Sequence, residues 1–256
     1  MEAIVGALSE QHDELDRLLS GLEAGDWDRL VPDCPGWTVS DVVLHLSQTD
    51  EMVVASAEGG FAAAAADLLG DPAEGMQWGT VDDVVALMVA RQRGAPGAEV
   101  HERWLVASAT VRDLLGSADP RRPMPWVVGD IPARTLATTR LAECWIHTRD
   151  IARAVGAPLG ASGRLWHIAR LAWRTIPYSF TRAGIPVPSG PVAAILAAPD
   201  GSTWEFTPDE APATTITGPA LDFCLVAGRR LDPAKSQLRG EGADAERVLA
   251  LVRTYA

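Results

Sequence analysis

The stretch Arg140-Leu-Ala-Glu143-Cys-Trp-Ile-His147-Thr-Arg-Asp150 decides how this chain is read. On a helix, a spacing of four places Glu143 and His147 on one face, one turn apart. A carboxylate and an imidazole stacked in that way can chelate one divalent ion. The opposite face is mixed, with Leu141, Trp145 and Ala152 sharing it with Arg149 and Arg153. A helix lacking a clean apolar stripe suits a bundle whose interior receives its polar side. The same Arg, Glu, His, Asp stripe also fits a solvated face held by ion pairs one turn apart. The spacing alone leaves both readings open.

Roughly a hundred residues earlier stands Pro35-Gly-Trp37-Thr38-Val-Ser-Asp41-Val-Val-Leu-His45-Leu. Thr38 with Asp41 three residues on reads as a capping box, an acidic residue standing in for the usual Glu. The helix it opens runs to about Ala57, with Val39, Val42, Val43, Leu46 and Val53 as its apolar stripe. His45 lies at the edge of that stripe, toward the core, where it would supply a third ligand from a neighbouring helix. Two histidines and one carboxylate, with the remaining positions open, make a catalytic rather than a structural metal site.

These blocks resemble the maleylpyruvate isomerase-like, mycothiol-dependent family of the DinB-like metalloenzyme superfamily. The resemblance rests on Asp26-Trp27, on Pro35-Gly36-Trp37-Thr38 with Asp41 and His45-Leu46, and on Arg140, Glu143, His147 and Asp150. The run Asp150-Ile-Ala-Arg-Ala-Val-Gly156 extends it; the match covers residues 1 to about 158 and is looser beyond 160. It implies an N-terminal DinB-like four-helix bundle; the strand signals beyond Pro186 add a small C-terminal α+β lobe that resembles sterol-carrier folds, so the expected class is α+β. The resemblance implies a divalent metal, usually zinc, held by His45, Glu143 and His147, and a low-molecular-weight, mycothiol-type thiol as co-substrate. Where other DinB-like proteins use three histidines, Glu143 lowers the ion's effective charge and makes a harder site. The family also implies a C-terminal arginine that reaches the metal pocket to hold a carboxylate. Arg229 and Arg230 are the candidates for this catalytic role; a basic cap at a helix C-terminus is the alternative. Asp41, Arg140, Asp150 and Trp37 are candidates for orienting the ligands or touching substrate, Asp41 and Asp150 as acceptors for ligand imidazoles. Asp41 also reads simply as its helix cap, and Arg140 and Asp150 as a pair across the helix face.

Composition narrows the class further. Of 256 residues, 47% are hydrophobic and 22% charged, which suits a soluble protein with an ample core. A net charge of -12 and a single lysine, Lys235, argue against a nucleic-acid partner. No apolar run approaches the roughly 20 residues a membrane helix needs, and the N-terminus lacks a secretory pattern. Cys34, Cys144 and Cys224 are scattered and fit reduced thiols. The expectation is a cytoplasmic monomer or homodimer. Cys144 points away from the ligand face and reads as core, His12 as packed against the first helix, and His101 and His167 as helix-surface positions.

Along the chain, helices are predicted over 3–24, 38–57, 81–115 (interrupted at Gly94-Ala-Pro-Gly97) and 133–155, with a crossing or hairpin over 116–132. The Ala-rich stretch Phe61–Ala66 and the segment to Gly79 carry no clear signal. Helical spacing continues through 162–176. Val192–Ala197 and Ser202–Phe206 flank Pro199-Asp-Gly201, a hairpin signal. Thr214–Thr217 and Gln237–Arg239 read as strands, Gly218-Pro219 opens a helix to Gly228, and Asp244–Tyr255 is a last helix. The domains expected are a metal-binding bundle over 1–160, a helical connector over 161–186 and an α+β domain over 187–256.

A metal with open positions lowers the pKa of a bound thiol. Attack on a small electrophile then gives S-transfer, or cis/trans isomerisation if the thiol is expelled after rotation about a transient single bond. The chain therefore reads as a metal- and thiol-dependent transferase or isomerase. A metal-dependent small-molecule hydrolase and a non-catalytic metal- or thiol-binding protein are the alternatives.

Overall fold

The computed structural model describes residues 1–70 and 80–254, and its helices begin and end where local chemistry allows. The chain divides into two compact units, Met1–Leu159 and Gly160–Ala256, each described by itself.

In the first unit α1 spans Glu2–Ser20. It stops four residues short of the expected end, because Gly21 closes it and Glu23 and Asp26 satisfy each other's backbone in a separate 3-10 turn. α2, Val39–Glu58, starts at Thr38 with the capping box complete: Asp41 N–H donates to Thr38 Oγ1 at 3.2 Å, and Thr38 N–H donates to Asp41 Oδ2 at 3.0 Å. It ends at Gly59, whose φ of 83° is adopted most cheaply by a residue without a Cβ. The Ala-rich stretch forms a short helix, α3, Phe61–Leu69. The interruption at residues 94–97 separates two helices, α4 (Val81–Gln92) and α5 (Gly97–Ser117). Gly97 lies flat against the indole of Trp27, which occupies the space a Cβ would need. The long crossing is a two-strand hairpin, β1 (Pro123–Met124) with β2 (Ile131–Pro132). It leads directly into α6, Ala133–Val155, which closes at Gly156.

α1, α2, α5 and α6 form the bundle, α2 packing chiefly along α5 and α6 chiefly along α1. Leu15, Leu19, Val42, Val43, Leu46, Trp104 and Ile151 fill its core. α6 is covered on nearly every side, polar Arg140, His147, Thr148 and Asp150 included. A helix so enclosed needs no amphipathic stripe, which explains its mixed pattern. Among the described residues, no helix is long and apolar enough to cross a membrane.

The second unit opens with α7 (Leu165–Arg174) and α8 (Ile176–Arg182). Its sheet has the order β4-β3-β5-β6, with β3 Val192–Ala197, β4 Thr203–Phe206, β5 Thr214–Pro219 and β6 Arg239–Glu241. β3 and β4 make the expected hairpin, whereas β3 and β5 pair in parallel. α9 (Ala220–Ala227) and α10 (Ala245–Leu251) complete the unit, α9 packing on α7. The protein is thus α+β with a helical N-terminal part. Residues 71–79 and Tyr255, the expected end of the last helix, lie outside the described residues; α10 itself stops at Leu251.

Candidate metal centre

α2 and α6 bring His45, Glu143 and His147 together, with one ligand atom from each within 4.8 Å of the other two. Glu143 Oε2 lies 3.6 Å from His45 Nε2 and 3.5 Å from His147 Nε2. Those separations are too long for good hydrogen bonds. They match the spacing of neighbouring donors about 2.0–2.2 Å from one tetrahedral ion, which lie roughly 3.4 Å apart. The side chains of His45 and His147 are 7% and 10% exposed, while that of Glu143 retains 23%. Three donors of the right type meet within 4.8 Å of one another with one side still open to solvent, so the residues fit a divalent ion.

His147 is held from behind. Its Nδ1 lies 3.0 Å from Asp150 Oδ2, and Asp150 is buried. A carboxylate on Nδ1 fixes the tautomer that leaves Nε2 for a metal. The Cys34 thiol donates to the same Asp150 oxygen at 3.5 Å and lies 3.9 Å from His147 Nδ1. Burial alone would lower the pKa of His147, but its hydrogen bond to Asp150, with the Cys34 thiol and the nearby Glu143 carboxylate, outweighs that and raises it well above the ordinary value. For Glu143, burial works upward and is overcome by the close approach and charge of the His147 and His45 rings, which hold the carboxyl well below its usual range. His45 is lowered, first by burial, with only partial compensation from Glu143. Its Nδ1 is buried and meets no hydrogen-bond partner among the described residues. The Trp37 ring sits 5.4 Å from that of His45 and forms one wall.

The remaining candidates fall elsewhere. Asp41 does not orient His45: its carboxylate caps α2 and lies 3.4 Å from Arg93 Nε. Arg140 does not pair with Asp150; its guanidinium reaches back across the bundle to Asp50 and Thr49. Arg229 and Arg230 follow α9 in the second unit. There Arg229 N–H donates to Val226 O and Arg230 N–H to Leu225 O, at 3.0 and 2.8 Å, which closes the helix as a Schellman motif. Arg229 takes the left-handed position of that motif, with φ 61°. Cys144 is core, Trp27 and Trp145 are buried, and His12 is packed edge-on to Trp104. His101 is less exposed than its surface reading implies: it pairs with Asp16 at 2.8 Å and stacks on Trp104.

Cys34, Thr49 and Asp50 escape the sequence reading. For the last two a signal exists, the polar run Ser47-Gln48-Thr49-Asp50 inside a helix buried on all those residues. Cys34 has none beyond standing three residues before Trp37.

Comparison with known proteins bears on the same residues. The family model described as the mycothiol maleylpyruvate isomerase N-terminal domain matches residues 8–152. A protein of Mycobacterium tuberculosis named only as uncharacterized is 32% identical over 254 residues in each of strains CDC 1551 / Oshkosh and ATCC 25618 / H37Rv. The match covers 98% of this chain and 95% of that protein. Among solved structures, the mycothiol-dependent maleylpyruvate isomerase superposes with a TM-score of 0.59 at 14% identity, covering 94% of this chain and 92% of that one. A histidine-to-alanine mutant of that enzyme gives 0.61 at 14%, covering 93% and 92%. At that identity the structures speak to the fold.

Proposed function

This chain belongs to the mycothiol maleylpyruvate isomerase N-terminal domain family, and from that premise we propose that it is a metal-dependent enzyme that activates a mycothiol-type thiol against a small electrophile. The outcome is isomerisation about a double bond or transfer of the sulfur. The observation that carries this reading is the convergence of His45 Nε2, Glu143 Oε2 and His147 Nε2 on one point of a buried helix pair.

These three residues would hold the ion, zinc foremost. When bound, it supplies the positive charge that lets a thiol ionise at neutral pH. Asp150 keeps the His147 ring in place through Nδ1, so that Nε2 stays directed at the site. Glu143, the most exposed of the three, marks the side from which a thiol and its electrophile enter. Trp37, whose ring packs 5.4 Å from that of His45, gives this ligand an apolar neighbour. Arg229 or Arg230 would hold a substrate carboxylate through the fork geometry of the guanidinium.

Metal analysis tests the ligand set. The purified protein should carry about one divalent ion per chain, and alanine at His45, Glu143 or His147 should each lose it, because three protein ligands leave little redundancy. Full occupancy in Glu143→Ala would show that the ligand set is wrong. With cobalt in place of zinc, a saturating thiol should add a sulfur-to-metal charge-transfer band. An unchanged spectrum would take the thiol out of contact with the ion and favour hydrolysis.

A further inference from the structure

His45 comes from α2, whereas Glu143 and His147 come from α6. The site is therefore only as well made as the placement of these two helices against each other. Neither helix has the other as its main packing partner: α2 lies chiefly along α5 and α6 along α1. Apolar contacts between them would tolerate small slides and rotations, since such contacts have no direction. Donor positions in a metal site tolerate them poorly.

One turn from the ligands, a polar contact joins α2 and α6 directly. Arg140 Nε donates to Asp50 Oδ1 at 3.0 Å, and Arg140 Nη2 donates to Thr49 Oγ1 at 2.8 Å. The Thr49 hydroxyl in turn lies 2.9 Å from the carbonyl oxygen of His45 and donates to it. The side chains of Arg140 and Asp50 are 3% and 2% exposed. Arg140 precedes Glu143 by three residues and His147 by seven, which puts all three on one stripe of α6. Thr49 follows His45 by four on α2. The contact thus ties the helical turn of one ligand to that of the other two.

A buried ion pair is a poor device for stability alone, because apolar residues of similar volume serve as well or better. What a guanidinium fork adds is fixed length and direction. We propose that the Asp50–Arg140–Thr49 contact is a positioning clamp, which sets His45 at the distance from Glu143 and His147 that metal binding needs. This rests on the metal reading of the three ligands.

Metal affinity and fold stability, measured side by side on the full chain, separate the clamp from mere packing. Arg140→Met and Asp50→Leu should each lower the unfolding midpoint, since either leaves one buried charge unpaired. The double variant Asp50→Leu/Arg140→Met removes both charges and should regain most of that midpoint. Its cobalt affinity should nonetheless stay down by about 10–100-fold, with altered visible bands, as when a group supporting metal ligands is lost. If cobalt affinity and spectrum return to wild type together with stability, the clamp is only packing and the proposal fails. His45→Ala serves as the control. If it binds cobalt like wild type, the ligand assignment itself falls and the clamp with it. If it loses cobalt while the double variant does not, only the clamp is overturned.

Discussion

His12 is neutral in the fold, as one hydrogen bond requires: Arg112 Nη1 donates to its Nδ1 at 3.0 Å, so that nitrogen carries a lone pair. Burial, then the charges of Arg112 and Arg140, lower its pKa to about 3 from 6.5. The unfolded chain takes up this proton near pH 6.5 and the folded chain does not. Stability from this residue is therefore complete above that pH and is lost as pH falls toward about 3, by at most about 1.4 kcal/mol per pH unit. His12→Asn keeps an acceptor for Arg112 without titrating, so its urea stability should fall less steeply between pH 7 and pH 5; an identical slope would mean that His12 charges inside the fold. At the metal centre, Asp150→Asn should cost about 10–100-fold in metal affinity, because the amide no longer attracts the Nδ1 proton that fixes the ring. Equilibrium competition with a chelator would read this, and wild-type affinity would remove Asp150 from the site. At this scale the sequence was legible where a spacing speaks. Glu143 and His147 stand one turn apart in any helix, and Asp150 follows at three. The partners of Arg140 were not legible, because they lie ninety residues away on another helix and nothing local selects Asp50 over Asp150.

Elements were legible to the degree that their ends are made locally. The capping box at Thr38 and the glycines at 59 and 156 are decided by neighbours in the chain, and α2 and α6 fall where those residues put them. Thr38→Ala should lower stability by about 1 kcal/mol through the lost cap, read as a shift in thermal or urea midpoint; no shift would mean that Asp41 holds the helix end unaided. The break between α4 and α5 has a second cause that the sequence hides. Gly97 is there for Trp27, which occupies the space of its missing side chain. Gly97→Ala should cost about 1–3 kcal/mol, the usual penalty of forcing a methyl into a filled core. Indole fluorescence during denaturation would report it, and an unchanged midpoint would show that the ring moves aside freely. In the second unit the β3–β4 hairpin announces itself through Pro199-Asp-Gly201. The parallel pairing of β3 with β5 does not, since no turn dictates it.

For the molecule as a whole, the proposed ligands belong to the first unit, and Arg229 and Arg230, the candidates for a substrate carboxylate, to the second. Arg229→Ala and Arg230→Ala should therefore separate the functions: one of them should lower turnover or raise the substrate requirement while metal content stays at wild type. Two variants indistinguishable from wild type in a working assay would leave the second unit without a catalytic arginine. Arg229 carries a further consequence through its backbone. It holds the left-handed position at the end of α9, one residue past Gly228, where glycine would be the cheaper occupant. Arg229→Gly should raise the melting temperature, by a gain of about 1 kcal/mol. A laboratory selection for heat resistance would then drift toward glycine at this position, and one for turnover would hold arginine. Running both selections on a single library would reveal whether evolution has kept an awkward residue for the sake of its guanidinium.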